Sequence, residues 1–394
     1  MSTGTMSSAL PDLKTQLSEL IATPSVSCTS AALDMSNLPV VNKLAGWLEC
    51  LGFDCEVMPV PGEQGKYNLI ATLGSGPGGL VLAGHTDTVP YNAERWNFNP
   101  FKLIERDHRW HGLGTSDMKG FFPLAIEAAK TASEATLKQP LILLATADEE
   151  SSMSGARALA EAGKPLARYA IVGEPTSLKP IRMHKGMMME SIQIQGESGH
   201  SSNPELGASA LDAMHGVLTE LNSFRKQLKN DYVNSEFSVA FPTMNFGCIH
   251  GGDNPNRICG SCELQIDLRP LPGMDLDTLR TDIVSKIGPI AASFGTQLKM
   301  ESLFVGAPAH ETAADSAIVK VAEQLTGHTA GSVNFGTEAP YLQQLGIDTL
   351  VLGPGDISVA HQPDEYISTE SIRPTVKLLE QFIQLFCVEA RYPL

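Results

Sequence analysis

The sequence predicts an α/β chain, a mainly parallel sheet interrupted by an inserted α+β domain, and three observations carry that expectation. Four short, continuous apolar runs, Leu80–Ala83, Leu141–Ala145, Tyr169–Val172 and Thr349–Leu352, read as strands buried on both faces. Each run is followed shortly by His or acidic residues: His85 and Asp87, Glu149 and Glu150, Glu174, and His361. Between about 181 and 294 the pattern changes to alternating strands and long helices without such terminal residues. The expected boundaries are therefore 1–182 and 295–394 for the parallel-sheet domain and 183–294 for the insertion, in a ferredoxin-like arrangement of antiparallel strands with two helices on one face.

Size and composition agree with two domains. A chain of 394 residues is too long for one ordinary core. With 42% hydrophobic and 18% charged residues it reads as globular rather than disordered. No stretch approaches the roughly 20 apolar residues of a membrane span. Met1–Pro11 is polar and lacks the apolar core of a secretory signal, so it reads as a loose terminus; the cytoplasm, expected as the default location, rests on the cysteine pattern. A formal charge of −16 excludes nucleic acid as a natural partner, because phosphate binding needs clustered Lys and Arg. Seven scattered cysteines suit a reducing compartment. Cys259 and Cys262 have zinc-knuckle spacing but no second pair, so packing in a strand is expected.

Taken in order, 13–22 and 39–51 carry apolar residues at helical spacing, the second stopping at Gly52. Residues 53–59 and 67–73 alternate as strands around a Pro-Gly-rich turn. After the strand at Leu80 comes a polar aromatic loop, 91–110, then the glycine-rich segment 112–120 carrying Asp117, and a helix over 121–132. Inside the insertion, 188–195, 243–249 and 262–268 read as strands, and 208–228 and 276–292 as helices. Lys185, a lone basic residue after a strand, reads as solvated.

The strand-end residues form a chemical set. In open α/β sheets ligands bind beyond the carboxyl ends of the strands. His85, Asp117, Glu150, Glu174 and His361 are imidazole and carboxylate donors that suit zinc, cobalt or manganese. Five donors exceed one tetrahedral ion. If Asp117 bridges, His85 and Glu174 serve one ion and Glu150 and His361 the other, an arrangement that can polarise a carbonyl and activate water. Asp87, two residues beyond His85, is placed to steady its imidazole. Glu149 precedes Glu150, and neighbouring side chains on an extended segment diverge, so Glu149 is free to act as general base.

These segments carry a resemblance. Gly84-His85-Thr86-Asp87, Gly114 to Gly120, Asp148-Glu149-Glu150, Gly173-Glu174-Pro175, Ser198-Gly199-His200-Ser201-Ser202 and Ala360-His361-Gln362-Pro363 together resemble the M20 metallopeptidase and deacylase family over nearly the whole chain. The resemblance implies a metallohydrolase catalytic domain of the phosphorylase/hydrolase-like type and an inserted dimerisation or lid domain. It implies two zinc ions, with cobalt as the alternative, on His85, Asp117, Glu150, Glu174 and His361. Asp117 bridges, Glu149 is the base, Asp87 lies behind His85, and the Asp117–Met118 peptide is cis. His200 is implied to stabilise the oxyanion from the other subunit of a homodimer. Asn254–Arg257, Cys262–Gly273, Gly336–Pro340 and the stretch through Tyr366 narrow the resemblance to a deacylase acting on a small N-acetyl amino acid with a distal ammonium. Arg257 with Asn256 suits the substrate carboxylate, with Arg269 competing; Glu338, in the Gly336–Pro340 turn, suits the distal ammonium, and Thr337 beside it is a further substrate-binding candidate.

Overall fold

The structure, a computed structural model, describes residues 10–392; the first nine residues of the expected loose terminus lie outside the described residues. The chain divides into two compact units. The first comprises residues up to Arg182, Thr312–Gly331 and Thr337 onward; the second comprises Met183–Glu311 and Ser332–Gly336.

In chain order the principal strands are β1 (Asp54–Pro59), β2 (Tyr67–Leu73), β3 (Leu80–His85), β4 (Leu141–Thr146) and β5 (Tyr169–Pro175). The second unit contributes β6 (Met188–Gln195), β7 (Thr243–Gly251), β8 (Ser261–Arg269) and β9 (Gln297–Ser302), and β10 (Asp348–Gly353) returns to the first.

The sheet of the first unit runs β1-β2-β4-β3-β5-β10. Pairs β4/β3, β3/β5 and β5/β10 are parallel, and β1 and β2 form an antiparallel edge. Every residue of β3, β4 and β5 is buried, which is why these strands appear in the sequence as unbroken apolar runs. Alternate residues point one way: Leu80 and Leu82, Leu141 and Leu143, Ile171, Leu350 and Leu352 join one core cluster with Leu44, Phe121, Ile126, Val319 and Phe382. Those partners come from helices Leu38–Glu49, Phe121–Ser133, Ala317–Thr326 and Thr369–Ile383. Gly173 lets helix Phe121–Ser133 start against β5, since a Cβ there would lie 2.2 Å from the Phe121 ring.

The expected loop 91–110 is partly ordered as a hairpin, Ile104–Arg106 against Arg109–His111, to which Tyr366–Ser368 adds a third strand. Its turn residues Asp107 and His108 both have positive φ, as a two-residue hairpin connection demands. Strands of three residues are too short to leave a period in the sequence.

The second unit follows β6, helix Ala210–Asp231, β7, β8, helix Leu276–Ser293, β9, with strand order β7-β8-β6-β9. All its pairings are antiparallel, giving the ferredoxin-like pattern. Strand β8 alternates strictly between buried and half-buried positions, its Cys262, Leu264, Ile266 and Leu268 packing on Val217, Leu221, Ile283 and Ile287 of the helices. Ser209 and Asp275 cap the two helices by accepting from Asp212 N (3.2 Å) and Thr278 N (2.8 Å). This unit extends past the expected boundary at residue 294. Strand β9 was missed because it is mostly exposed along an edge and has little apolar content, yet it pairs with β6 over six residues, Gln297↔Gln195 to Ser302↔Glu190.

Cys262 packs in the core, and among the described residues all seven cysteines are free thiols. No helix among the described residues is long and apolar enough to cross a membrane.

Candidate metal centre

Parallel pairing brings the chemistry to one edge of the first sheet. The register Ala83↔Val172 places His85 level with Glu174, each two residues further along its strand, and His85 itself pairs with Thr146 at the end of β4. Asp117 comes from the loop between the hairpin and helix Phe121–Ser133, and its peptide to Met118 is cis. His361 follows β10 in a left-handed conformation, φ 59°.

The five expected ligands converge. His85 Nε2 lies 3.1 Å from Asp117 Oδ1 and 3.8 Å from Glu174 Oε1. His361 Nε2 lies 3.2 Å from Asp117 Oδ2 and 3.0 Å from Glu150 Oε2. The two Asp117 oxygens thus face two different imidazoles, each with its own second carboxylate. Donor atoms at about 2.0–2.1 Å around a tetrahedral zinc lie roughly 3.3–3.4 Å apart, so these spacings fit donors that share an ion. Glu174 Oε1 is buried without a hydrogen-bond partner, an orphan that a cation would satisfy.

Electrostatics point the same way. Burial raises the carboxyls of Glu149 and Glu174 well above their ordinary range, and neighbouring carboxylates add to it. Hydrogen bonds donated to the Asp117 and Glu150 carboxylates hold the His361 imidazole up, to about 10. Asp117 is the exception among the acids: burial would raise it, but the two imidazoles pull it below its ordinary value. A site that crowds carboxylates around two imidazoles calls for positive charge, and divalent cations meet that demand.

Glu149 lies beside the ligand cluster. Its carboxylate lies within 4.8 Å of ligand atoms of His85 and Glu174, while Glu150 serves the His361 side. The two carboxylates diverge, but not along an extended segment. The chain turns at Asp148 (φ 59°), whose carbonyl accepts from Ser152 N and Met153 N at 3.0 and 2.6 Å. The Asp148 carboxylate anchors that turn, held by Lys66 Nζ at 2.7 Å, Ser27 Oγ at 2.9 Å and Ser154 Oγ at 3.1 Å. The sequence left Lys66 unremarked, because a lysine after a glycine turn looks solvated.

Asp87 takes a position slightly different from expectation. The hydrogen bond of His85 Nδ1 goes to the Asp87 backbone carbonyl at 3.1 Å, with the carboxylate Oδ1 at 3.6 Å. Asp87 Oδ2 accepts from Glu150 N at 3.0 Å, so one residue steadies both a ligand imidazole and the turn carrying Glu150.

Glu338 and Thr337 are internal residues. Both are buried, Glu338 with 1% exposure, and the Glu338 carboxyl receives the Thr146 hydroxyl at the end of β4. Burial pushes that carboxyl up, to about 7, against the opposing Thr146 hydrogen bond. Its other oxygen, Oε1, is buried without a hydrogen-bond partner. The helix Ala339–Gln344 begins directly after Glu338 and is buried over Ala339–Leu342.

Two buried groups escaped the sequence reading. Glu365 accepts backbone N–H bonds from Gly114, Ser116 and Asp117, and Lys119 donates to the carbonyls of Leu20 (2.9 Å) and Thr23 (3.0 Å). Each is charged within a polar motif, so nothing in pattern or spacing marks it as internal.

His200, Asn256 and Arg257 belong to the second unit, where they are exposed and lie together. His200 and Arg257 form an isolated antiparallel bridge, and Ser201 N donates to Asn256 O at 3.1 Å. His200 Nδ1 lies 2.8 Å from Ser202 Oγ and 3.2 Å from Ser202 N, so its contacts stay within its own loop. Arg257 pairs with Asp253 at 2.6 Å, and the rival Arg269 is held by Asp267 at 3.1 Å. Lys185 is buried, not solvated, donating to Phe241 O at 2.7 Å.

Comparisons with known proteins identify the family. Residues 81–385 match the pattern of peptidase family M20/M25/M40. The chain is 49% identical to the acetylornithine deacetylase of Proteus mirabilis over 97% of its own length and 99% of that protein. It is 50% identical to the acetylornithine deacetylase of Klebsiella pneumoniae over 93% of its length and 96% of that protein. Among solved structures, an M20 family metallo-carboxypeptidase from Sulfolobus solfataricus shares the fold, with TM-score 0.74 and 18% identity over 95% of this chain and 99% of that one.

Proposed function

The chain belongs to peptidase family M20/M25/M40, and from that premise we propose that it hydrolyses N2-acetyl-L-ornithine to L-ornithine and acetate with two zinc ions, cobalt being the alternative. The observation that carries the hydrolytic chemistry is the placement of Asp117 with its two oxygens 3.1 and 3.2 Å from His85 and His361. Near-half identity along almost the whole length of acetylornithine deacetylases supports the choice of substrate.

On this reading His85 and Glu174 would hold one cation and Glu150 and His361 the other, with Asp117 available to both. Bound there, the cations would supply Lewis acidity to the acetyl carbonyl and acidify water. Glu149 takes the proton from the attacking water and returns it to the leaving nitrogen. Asp87 keeps His85 and the Glu150 turn in place. Arg257 and Asn256 receive the substrate carboxylate. His200 donates to the oxyanion, supplied by the partner chain of a homodimer built through the second unit. The free cysteines support a reducing, cytoplasmic location.

The test is acetate release from acetylornithine, compared with acyl release from N-succinyl-diaminopimelate and cleavage of dipeptides, on protein of measured metal content. The proposal expects two ions per chain and the highest kcat/KM for acetylornithine. Preference for the succinylated substrate or a dipeptide would overturn the substrate, and full activity after exhaustive chelation would overturn the metal chemistry.

A further inference from the structure

Glu365 is buried to 1% exposure, and its carboxylate is the meeting point of the loop that carries Asp117. Oε1 accepts from Ser116 N at 2.7 Å and Asp117 N at 2.9 Å, and Oε2 accepts from Gly114 N at 3.1 Å. The Glu365 backbone carbonyl takes Gly112 N at 3.0 Å. Elsewhere the loop is tied by Leu113 N to Pro100 O at 2.9 Å and by Lys119 Nζ to Leu20 O at 2.9 Å, bonds that do not involve the Ser116 and Asp117 N–H groups. It is neither helix nor strand, Gly114 is left-handed (φ 88°), and its own backbone bonds are Thr115 N to Gly112 O at 3.1 Å and Gly120 N to Gly114 O at 2.9 Å. Buried N–H groups in such a segment require an acceptor from elsewhere, and Glu365 provides it.

Four residues before Glu365 in the chain stands His361. A closed ring results: Asp117 Oδ2 to His361 Nε2 at 3.2 Å, along the chain to Glu365, and back through its carboxylate to Asp117 N at 2.9 Å. The left-handed conformation of His361 is one that a non-glycine residue keeps only where its surroundings over-determine it. His85 and Glu174 need no such brace, since both are fixed at the ends of paired parallel strands.

Resting on the dinuclear reading above, we propose that Glu365 is a positioning residue that sets the separation of Asp117 and His361, and through it the affinity of the cation shared by Asp117, Glu150 and His361. The other cation, held also by strand-borne His85 and Glu174, depends on Glu365 much less.

The experiment titrates metal-free protein with Co2+, following visible absorption and competition with a chromophoric chelator, for the native chain, Glu365→Gln and Glu365→Ala. Glu365→Gln keeps one carbonyl oxygen for Ser116 and Asp117 but presents an amide donor to Gly114 N–H, so it is the milder change. Expected for Glu365→Gln is a second Co2+ step weakened ~10-fold or more, a first step within ~3-fold of native, and a fall in kcat with KM little changed. Glu365→Ala should be weaker again at the second step. Two native steps left unaltered in Glu365→Gln would overturn the proposal, as would equal weakening of both steps in parallel with a lowered Tm, which is what a merely structural carboxylate gives. A native chain that fails to bind two Co2+ ions would instead defeat the dinuclear reading. If neither variant folds, amide exchange on the native metal-free chain decides: slow exchange at Ser116 and Asp117 supports the clamp and fast exchange sinks it.

Discussion

The two sheets of this molecule spend similar apolar material differently. In the first unit β3, β4, β5 and β10 run parallel, so their carboxyl ends share one edge and everything placed just beyond them is gathered into one volume. His85, Glu174 and His361 arrive that way, and the turn after β4 adds Glu149 and Glu150. In the second unit every pairing is antiparallel, so successive strand ends fall on opposite edges and cannot pool their side chains. That unit offers instead exposed, loop-borne groups such as His200 and Arg257. Parallel pairing concentrates chemistry; antiparallel pairing with two covering helices builds a platform.

The largest effect should fall on the first unit alone. Asp117→Ala removes the oxygens that face both imidazoles, and turnover should drop by ~10³-fold or more, about 4 kcal/mol in the barrier. Both cation sites should weaken while amide-exchange protection in the second unit stays native. A variant that keeps native activity and two ions would show that the strand-end cluster is not the centre.

The next effect asks whether the platform contributes chemistry. His200→Ala should lose ~10²- to 10³-fold in kcat and keep its metals. Mixed dimers of Glu149→Ala and His200→Ala chains contain one site with both groups if His200 acts across subunits, so activity should reappear. No rescue would confine His200 to its own chain, and a fully active single mutant would leave it a surface residue.

Acid should separate the units by stability. Burial, with help from His310, drives the His184 imidazole of the second unit down to about 3 from an ordinary 6.5, its hydrogen bond to the Lys185 carbonyl opposing. The folded state resists a proton that the unfolded chain accepts. This contribution is therefore complete above pH 6.5 and is lost as pH falls from there toward 3. His184→Phe should lower the acid midpoint of the second unit by roughly 0.5 pH unit. All three tryptophans, Trp47, Trp96 and Trp110, lie in the first unit, so amide exchange in the second unit against tryptophan fluorescence distinguishes the two transitions. An unchanged midpoint in the variant would remove His184 from the account.

The smallest effect concerns Glu338. Buried behind β4, it should not sense the substrate's side chain, and Glu338→Gln should leave the preference for acetylornithine over a neutral N-acetyl amino acid within ~2-fold. A loss of ~10-fold, about 1.4 kcal/mol, would restore it as partner of the ammonium.

Much was legible in the sequence because its signals are local or repetitive. Unbroken apolar runs declare a strand buried on both faces, the alternation of β8 declares one buried face, and the residues just past each run mark the ligand edge whatever the strand order. What the sequence could not state depends on groups far apart in the chain. Strand β9 exists because β6 lies beside it; its own residues are mostly exposed and carry no strong period. Asp148 turns the chain because Lys66, Ser27 and Ser154 meet its carboxylate. Glu365, Lys119 and Glu338 look like surface charge in one dimension, since a polar side chain becomes internal only where distant backbone groups come to satisfy it. Local pattern fixed which residues could face a core or a metal. Only the folded chain decided which buried polar groups hold those residues in place, because hydrogen-bond partners are assigned by proximity in space and leave no period along the chain.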